Sequence, residues 1–156
     1  PDDGFQKPSA VVAMTDHLAG DDSIVNWSVA LAKGPAPTVV LAHVEDDLVF
    51  ERYIRVIGKT PDIETDLARR ELRRLLLHEP TDWIETVART LASTDPTVRV
   101  VPDVSFGHHL ATYRRLLDHH QAELLVMHTK DEDQLAMHGG AYPLAVELRR
   151  TPLLLL

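Results

Sequence analysis

The stretch that decides the fold is "AELLVMHTKDEDQLAMHGGAYPLAVELRRTPLLLL", Ala122 to Leu156. A short apolar run, Leu124 to Met127, stops at His128. Lys130, Asp131, Glu132 and Asp133 follow, then Gly139 and Gly140. "YPLAVELRR" then reads as a helix with Pro143 near its first turn, and "TPLLLL" as another buried strand. A strand, a loop, a helix and a strand within 35 residues form one β-α-β unit. In such units the loop leaving the first strand is where α/β proteins usually hold phosphates. Phosphate loops are rich in glycine and short of carboxylates. The first half of this loop is the reverse.

Working outward, the same alternation fills the chain. "SAVVAMTD", Ser9 to Asp16, is a first strand, nearly all apolar, as burial on both faces demands. A helix is expected over 22–33, with Asp21 or Asp22 as cap, Gly34 as stop, and Ile24, Trp27, Ser28 and Leu31 facing inward. "PTVVLAHVE" is the second strand. Phe50, Tyr53, Ile54 and Ile57 recur at helical spacing, so Asp47 to Lys59 reads as a short helix. Pro61 opens a long helix with Ile63, Leu67, Ala68, Leu72, Leu75 and Leu76 on one side. Pro80 should break or kink it, and Asp82 with Glu85 offers a capping box for a second piece. "TVRVVPDVSFG" is a third strand, placed at a sheet edge because Pro102 cannot donate to a ladder. Gly107 then starts a helix with Leu110, Tyr113, Leu116 and Leu117 inward. The order β-α-β-α-β-α-β-α-β predicts a single α/β domain over 1–156: a doubly wound, five-stranded parallel sheet with helices on both faces. Any ligand should lie beyond the carboxyl ends of the strands where their order reverses.

Composition narrows the function. A net charge of −8 argues against nonspecific nucleic-acid binding. No apolar run approaches a membrane span, so no direct membrane insertion is expected. The absence of cysteine excludes disulfides and thiolate metal sites, and a cytoplasmic protein is expected. A first residue of proline rather than methionine is read as a chain trimmed or cut from something longer.

The ordered set of segments resembles the universal stress protein family. The first strand with Asp16 resembles its opening "VPVDGS", and "LAHV" its second-strand "LLHV". "FGHHLATYRRLLDHHQAELLVMH" resembles the stretch leading into "DLIVMG". "GGAYPLAVELRRTPLLLL" resembles the ending "GSVAERVLRHAPCPVLVV" without a gap. The resemblance implies an adenine-nucleotide α-hydrolase-like architecture. It implies adenosine contacts at Asp16 and Val44. Nucleotide-binding members carry G-x2-G-x9-G-[S/T] after the fourth strand. Here the first glycine falls on His128, the second on Asp131, and the final pair on Gly139 and Gly140. The spacing is two residues short. The candidate ligand-binding residues are therefore Asp16, Val44, His128, Gly139 and Gly140. A degenerate nucleotide site is expected, with no bound cofactor required and ATP or another adenine nucleotide as the candidate ligand. The resemblance also implies a homodimer through the last strand, an edge strand with apolar side chains.

The other marked residues read as structural. The doublets His108–His109 and His119–His120 lie about 15 Å apart along one helix and chelate poorly from one face, so no metal site is expected. His17, His43, His128 and His138 are better placed, three of them at or beside the expected cleft. "ARRELRR" interleaves its arginines with Glu71 and an apolar stripe, as a solvated helix face does. The acidic runs "EDD" and "DED" lack EF-hand spacing. No G-x-S-x-G, P-loop or H-E-x-x-H is present, so no catalytic residue is assigned and an enzyme is not expected. The leading expectation is a non-catalytic regulatory or ligand-sensing module of stress response. The alternative is an ATP-binding member with weak or no hydrolysis. An unrelated hydrolase or transferase is a third reading without residues to carry it.

Overall fold

The computed structural model describes residues 7–15, 22–128 and 141–156. Its elements run β1 (Ala10–Met14), α1 (Asp22–Leu31), β2 (Thr38–Asp46), α2 (Asp47–Ile57), α3 (Thr65–Thr94), β3 (Arg99–Gly107), α4 (His109–His119), β4 (Leu124–Met127), α5 (Ala141–Glu147) and β5 (Leu153–Leu155). The strands form one five-stranded sheet in the order β3-β2-β1-β4-β5, and every pairing is parallel. The doubly wound sheet expected from the alternation is what forms. Both strands expected at edges, β3 with Pro102 and β5, are at edges.

Strand alternation divides the core in two. Val11, Ala13, Val39, Leu41, Leu124 and Val126 face α1 and α3. Val12, Val40, Val44, Leu125 and Met127 face α4 and α5, where they meet Tyr113, Leu116, Leu117 and Leu144. The chain therefore winds outward from β1 over one face to β3, then crosses to β4 and β5 over the other. Each half keeps to one face because right-handed crossovers advancing in one direction must. The reversal falls between β1 and β4, the place where open α/β sheets form a ligand crevice.

Three expectations about the ends and continuity of α3 are corrected. The helix expected to break at Pro80 is continuous from Thr65 to Thr94. Pro80 is buried, and Ile84 one turn on is fully buried, so packing on the sheet carries the helix through the missing N–H. Thr81 Oγ1 donates to the Leu77 carbonyl at 2.6 Å beside the defect. No capping box forms at Asp82 and Glu85, because no helix starts there. Asp82 instead pairs with His78 at 2.8 Å on the helix surface. The start also moves, from Pro61 to Thr65, with the Glu64 carboxylate accepting from Leu67 N at 3.1 Å.

Half of the apolar stripe assigned to the first half of α3 is exposed, while Ala68, Leu72 and Leu76 are partly buried. Ile63, Leu67 and Leu75 are 47%, 50% and 56% exposed. Thirty residues make a helix about 45 Å long, against about 30 Å for a nine-residue strand, so α3 overhangs the sheet. The overhang packs on α2, with Arg69 bonded to Glu51 across the pair. That hydrogen bond, then attraction to Glu51 and Asp66, outweighs desolvation and holds the Arg69 guanidinium above its ordinary range.

Trp27, expected inward on α1, is 52% exposed. The buried arc is Ile24, Val25, Ser28 and Ala32, and its centre lies more than 100° from Trp27 at about 100° per residue. Small side chains at 28 and 32 let α1 lie close to β1.

Candidate functional site

The crevice is built on the carboxyl ends of β2, β1 and β4. Pairing sets Met14 against Ala42 and Ala13 against Val126. Continued past those pairs, the register aligns His43, Thr15 and His128 in one row across three strands, roughly 10 Å from first to last. Alternation directs all three to the face that α1 and α3 cover. His43 is 7% exposed and Thr15 fully buried, while His128, the first residue after β4, is partly buried.

Thr15 is tied to β2 rather than to ligand space. Its N–H donates to the Ala42 carbonyl at 2.8 Å, and its Oγ1 donates to the same oxygen at 3.0 Å. The His43 ring joins it: Nδ1 lies 2.7 Å from the Thr15 carbonyl oxygen and Nε2 lies 2.9 Å from Glu45 Oε1. Next along β2, Asp46 caps α2 by accepting from Leu48 N at 2.8 Å and Val49 N at 3.2 Å. Of the acids in "EDD", Glu45 and Asp46 are thus engaged in structure. Asp47 Oδ1 is buried without a hydrogen-bond partner.

Val44 is placed at the carboxyl end of β2, but its side chain belongs to the α4-side core, packed with Tyr113, Leu117 and Met127. Only its backbone is left to offer a ligand. His128 stands at the mouth beside β1. Asp16, Gly139 and Gly140 lie outside the described residues, as do His17, His138 and the acids at 131–133. Of the five candidates, Val44 and His128 are therefore brought to one end of the sheet. Sequence reading missed Glu45 as the partner of His43 and Thr15 as the residue both support. The i, i+2 spacing of His43 and Glu45 on one strand face was the available signal.

His119 and His120 are engaged away from the crevice. His120 Nε2 lies 2.8 Å from Asp103 Oδ2, tying the end of α4 to the edge strand β3. His119 and His120 meet edge to face at 4.7 Å. Among the described residues no group of three His, Cys, Asp or Glu side chains could hold a metal. A cavity of about 230 Å³ between β3 and α4, lined by Asp103, Ser105, Thr112, Arg115, Leu116 and His119, lies away from the strand reversal. No described helix is long and apolar enough to cross a membrane.

No protein-family model matches the chain, and no curated protein matches it in sequence. Solved structures do. The hypothetical protein MJ0577, the subject of a structure-based assignment of biochemical function, superposes with a TM-score of 0.73 at 17% identity, over 97% of this chain and 96% of that one. Universal stress protein UspA from Lactobacillus plantarum gives 0.72 at 13% identity, over 97% and 99%. A universal stress protein in complex with cAMP gives 0.52 at 15% identity, over 97% and 98%.

Proposed function

The chain has the universal stress protein fold, and on it we propose a single non-catalytic, ligand-sensing domain of stress response, acting in the cytoplasm. Its ligand is adenosine or a singly charged adenine nucleotide, held over the carboxyl ends of β1, β2 and β4. Triphosphates bind weakly or not at all. The observation that carries the reading is the crevice at the β1/β4 reversal, with the backbone of Val44 and the ring of His128 at its mouth. Asp16, next in the chain after Thr15, is assigned the adenosine side, and Gly139 and Gly140 the remaining backbone approach. A neighbour in fold is described in complex with cAMP, which carries one negative charge rather than the several of a triphosphate.

The loop after β4 explains the preference. A histidine at 128 adds a Cβ and a ring where the nucleotide-binding pattern has a glycine. Asp131, Glu132 and Asp133 bring three carboxylates into the same loop, and Lys130 offsets one of them. Native mass spectrometry of the protein purified without added nucleotide tests the reading. Adenosine, a cyclic monophosphate or an empty protein is expected. Stoichiometric ATP would contradict it.

A homodimer through β5 belongs to the same proposal. Leu153, Leu154 and Leu155 are half-buried, and β5 is hydrogen-bonded to β4 alone in the sheet. An apolar edge of this kind invites pairing with a second copy across a two-fold axis. Light scattering is expected to give twice the monomer mass at high micromolar concentration, and the Leu154→Lys protein the monomer mass. A wild-type monomer at that concentration, or an intact dimer of the variant, would contradict it.

A further inference from the structure

The α4-side face of β3 changes character halfway along the strand. Val101 packs on the core beside Val40. Two residues on, Asp103 stands beside Ala42, and then Ser105 beside Val44, on the same face by strand alternation. Opposite them α4 presents Thr112, Arg115, Leu116 and His119, at the three- and four-residue spacing of one helix face. The cavity of about 230 Å³ lies between the two rows. Thr112 and Leu116 are its buried part, and Arg115 and His119 its exposed rim. Asp103 and Ala42 are mid-strand residues, so the cavity flanks the sheet rather than lying beyond its carboxyl ends.

Most of this polar lining is not spent on the fold. Asp103 Oδ2 lies 2.8 Å from His120 Nε2, which leaves Oδ1 to accept. Among the described residues Ser105 Oγ, Thr112 Oγ1 and the Arg115 guanidinium make no hydrogen bond or ion pair, and the His119 ring meets only the edge of His120. The neighbouring charges are directed elsewhere. Asp46, beside Gly107 at the end of the row, caps α2. Arg114 and Asp118 line a groove on the other side of α4, where Arg114 bonds Glu147. Arg99 shares the face of Asp103 but lies four residues away, roughly 13 Å along the strand. The side chain of His109, one turn before Thr112, lies outside the described residues.

We propose that this cavity is a second binding site, for a small polyol monophosphate. The guanidinium of Arg115 is a permanent cation with a fork of donors that matches a phosphate. The His119 ring and the Thr112 hydroxyl add donors on the same helix face, so a tetrahedral head meets three groups at once. Across the cavity Asp103 Oδ1 accepts from a ligand hydroxyl, and Ser105 Oγ pairs with another. The volume is below the roughly 300–1,000 Å³ of sites that enclose drug-sized ligands, which restricts the ligand to a few carbons. A chain of net charge −8 offers an anion no general attraction, so capture depends on these local groups.

The site does not depend on the adenosine reading, and its test uses no adenosine. The full chain is titrated with glycerol 3-phosphate, followed by calorimetry and by amide NMR shifts. Saturable binding is expected, with the shifts concentrated at Ser105, Thr112, Arg115 and His119. Arg115→Gln, at an exposed position, is expected to weaken binding about tenfold or more, and Arg114→Gln, on the far side of α4, to leave it unchanged. Inorganic phosphate is expected to bind more weakly than glycerol 3-phosphate, and Ser105→Ala to narrow that gap. Absence of saturation in the millimolar range, an Arg115→Gln protein that binds like the wild type, or equal losses in Arg114→Gln would overturn the site. Inorganic phosphate binding as tightly as glycerol 3-phosphate, or glycerate binding more tightly, would overturn the ligand class.

Discussion

Ile84→Ala is expected to destabilise the protein by about 3 kcal/mol, lowering the melting temperature by roughly 6–12 °C. Ile84 is fully buried, and with Pro80 it is one of two buried residues in all thirty positions of α3. Partly buried Trp83, Val87 and Leu91 of the same helix pack around it, so Ile84 is the centre of the contact between α3 and the sheet. The deleted atoms leave a cavity against Val11, Val39, Leu41 and Val126, a rigid sheet surface that cannot close in. Leu75→Ala, on the same helix at 56% exposure, is expected to cost less than about 0.5 kcal/mol. Thermal or urea unfolding of the two variants reads the contrast. Equal losses would mean that the exposed side of α3 is packed against something in solution.

Gly107→Ala is expected to cost about 1–3 kcal/mol for a different reason. Gly107 ends β3 opposite Asp46, and its backbone is not in the left-handed region. The requirement is space. An added Cβ would lie 1.9 Å from Thr112 Oγ1, 3.0 Å from its Cβ and 3.1 Å from its Cγ2. Thr112 is 6% exposed on α4, so turning its side chain does not clear the site. Thr112→Ala removes the two branch atoms and leaves one tight contact. The double variant should therefore be more stable than the sum of the single losses predicts, by about 1 kcal/mol or more. Additive losses in urea unfolding would show that the contact is relieved by backbone movement instead.

The architecture was legible because it rests on features that survive in a single sequence. Continuous apolar runs with β-branched residues marked β1, β2 and β4, and Pro102 marked an edge. The errors came where a sequence shows an apolar stripe but not what lies beneath it. Leu67 and Leu75 have helical spacing like any core residue, yet both are exposed, and Leu75 lies nine residues, about 180° around the helix, from buried Ile84. Trp27 is the largest apolar residue in its helix and is outside, because α1 approaches β1 through Ser28 and Ala32. Pro80 reads as a break, yet packing on the sheet overrides the lost hydrogen bond. The site was legible at the level of strand ends. Val44 and His128 were placed by pattern, whereas the clasp of His43 with Thr15 and Glu45 depends on the register of β1 against β2, which periodicity does not encode.

Calorimetric titration of the purified protein with MgATP and with adenosine, at low salt, tests the central claim most directly. One like-charge contact at 4 Å costs about 4 kcal/mol at an effective dielectric near 20, before counterions or movement relieve it. With three carboxylates at 131–133 against one lysine, the triphosphate should cost affinity relative to the nucleoside. The expected result is adenosine binding with MgATP weaker or undetectable, and a gain in MgATP affinity when Asp131, Glu132 and Asp133 are replaced by Asn, Gln and Asn. Micromolar MgATP, or MgATP tighter than adenosine, would contradict the account, because the phosphates would then be binding favourably in a loop that this reading holds unable to receive them.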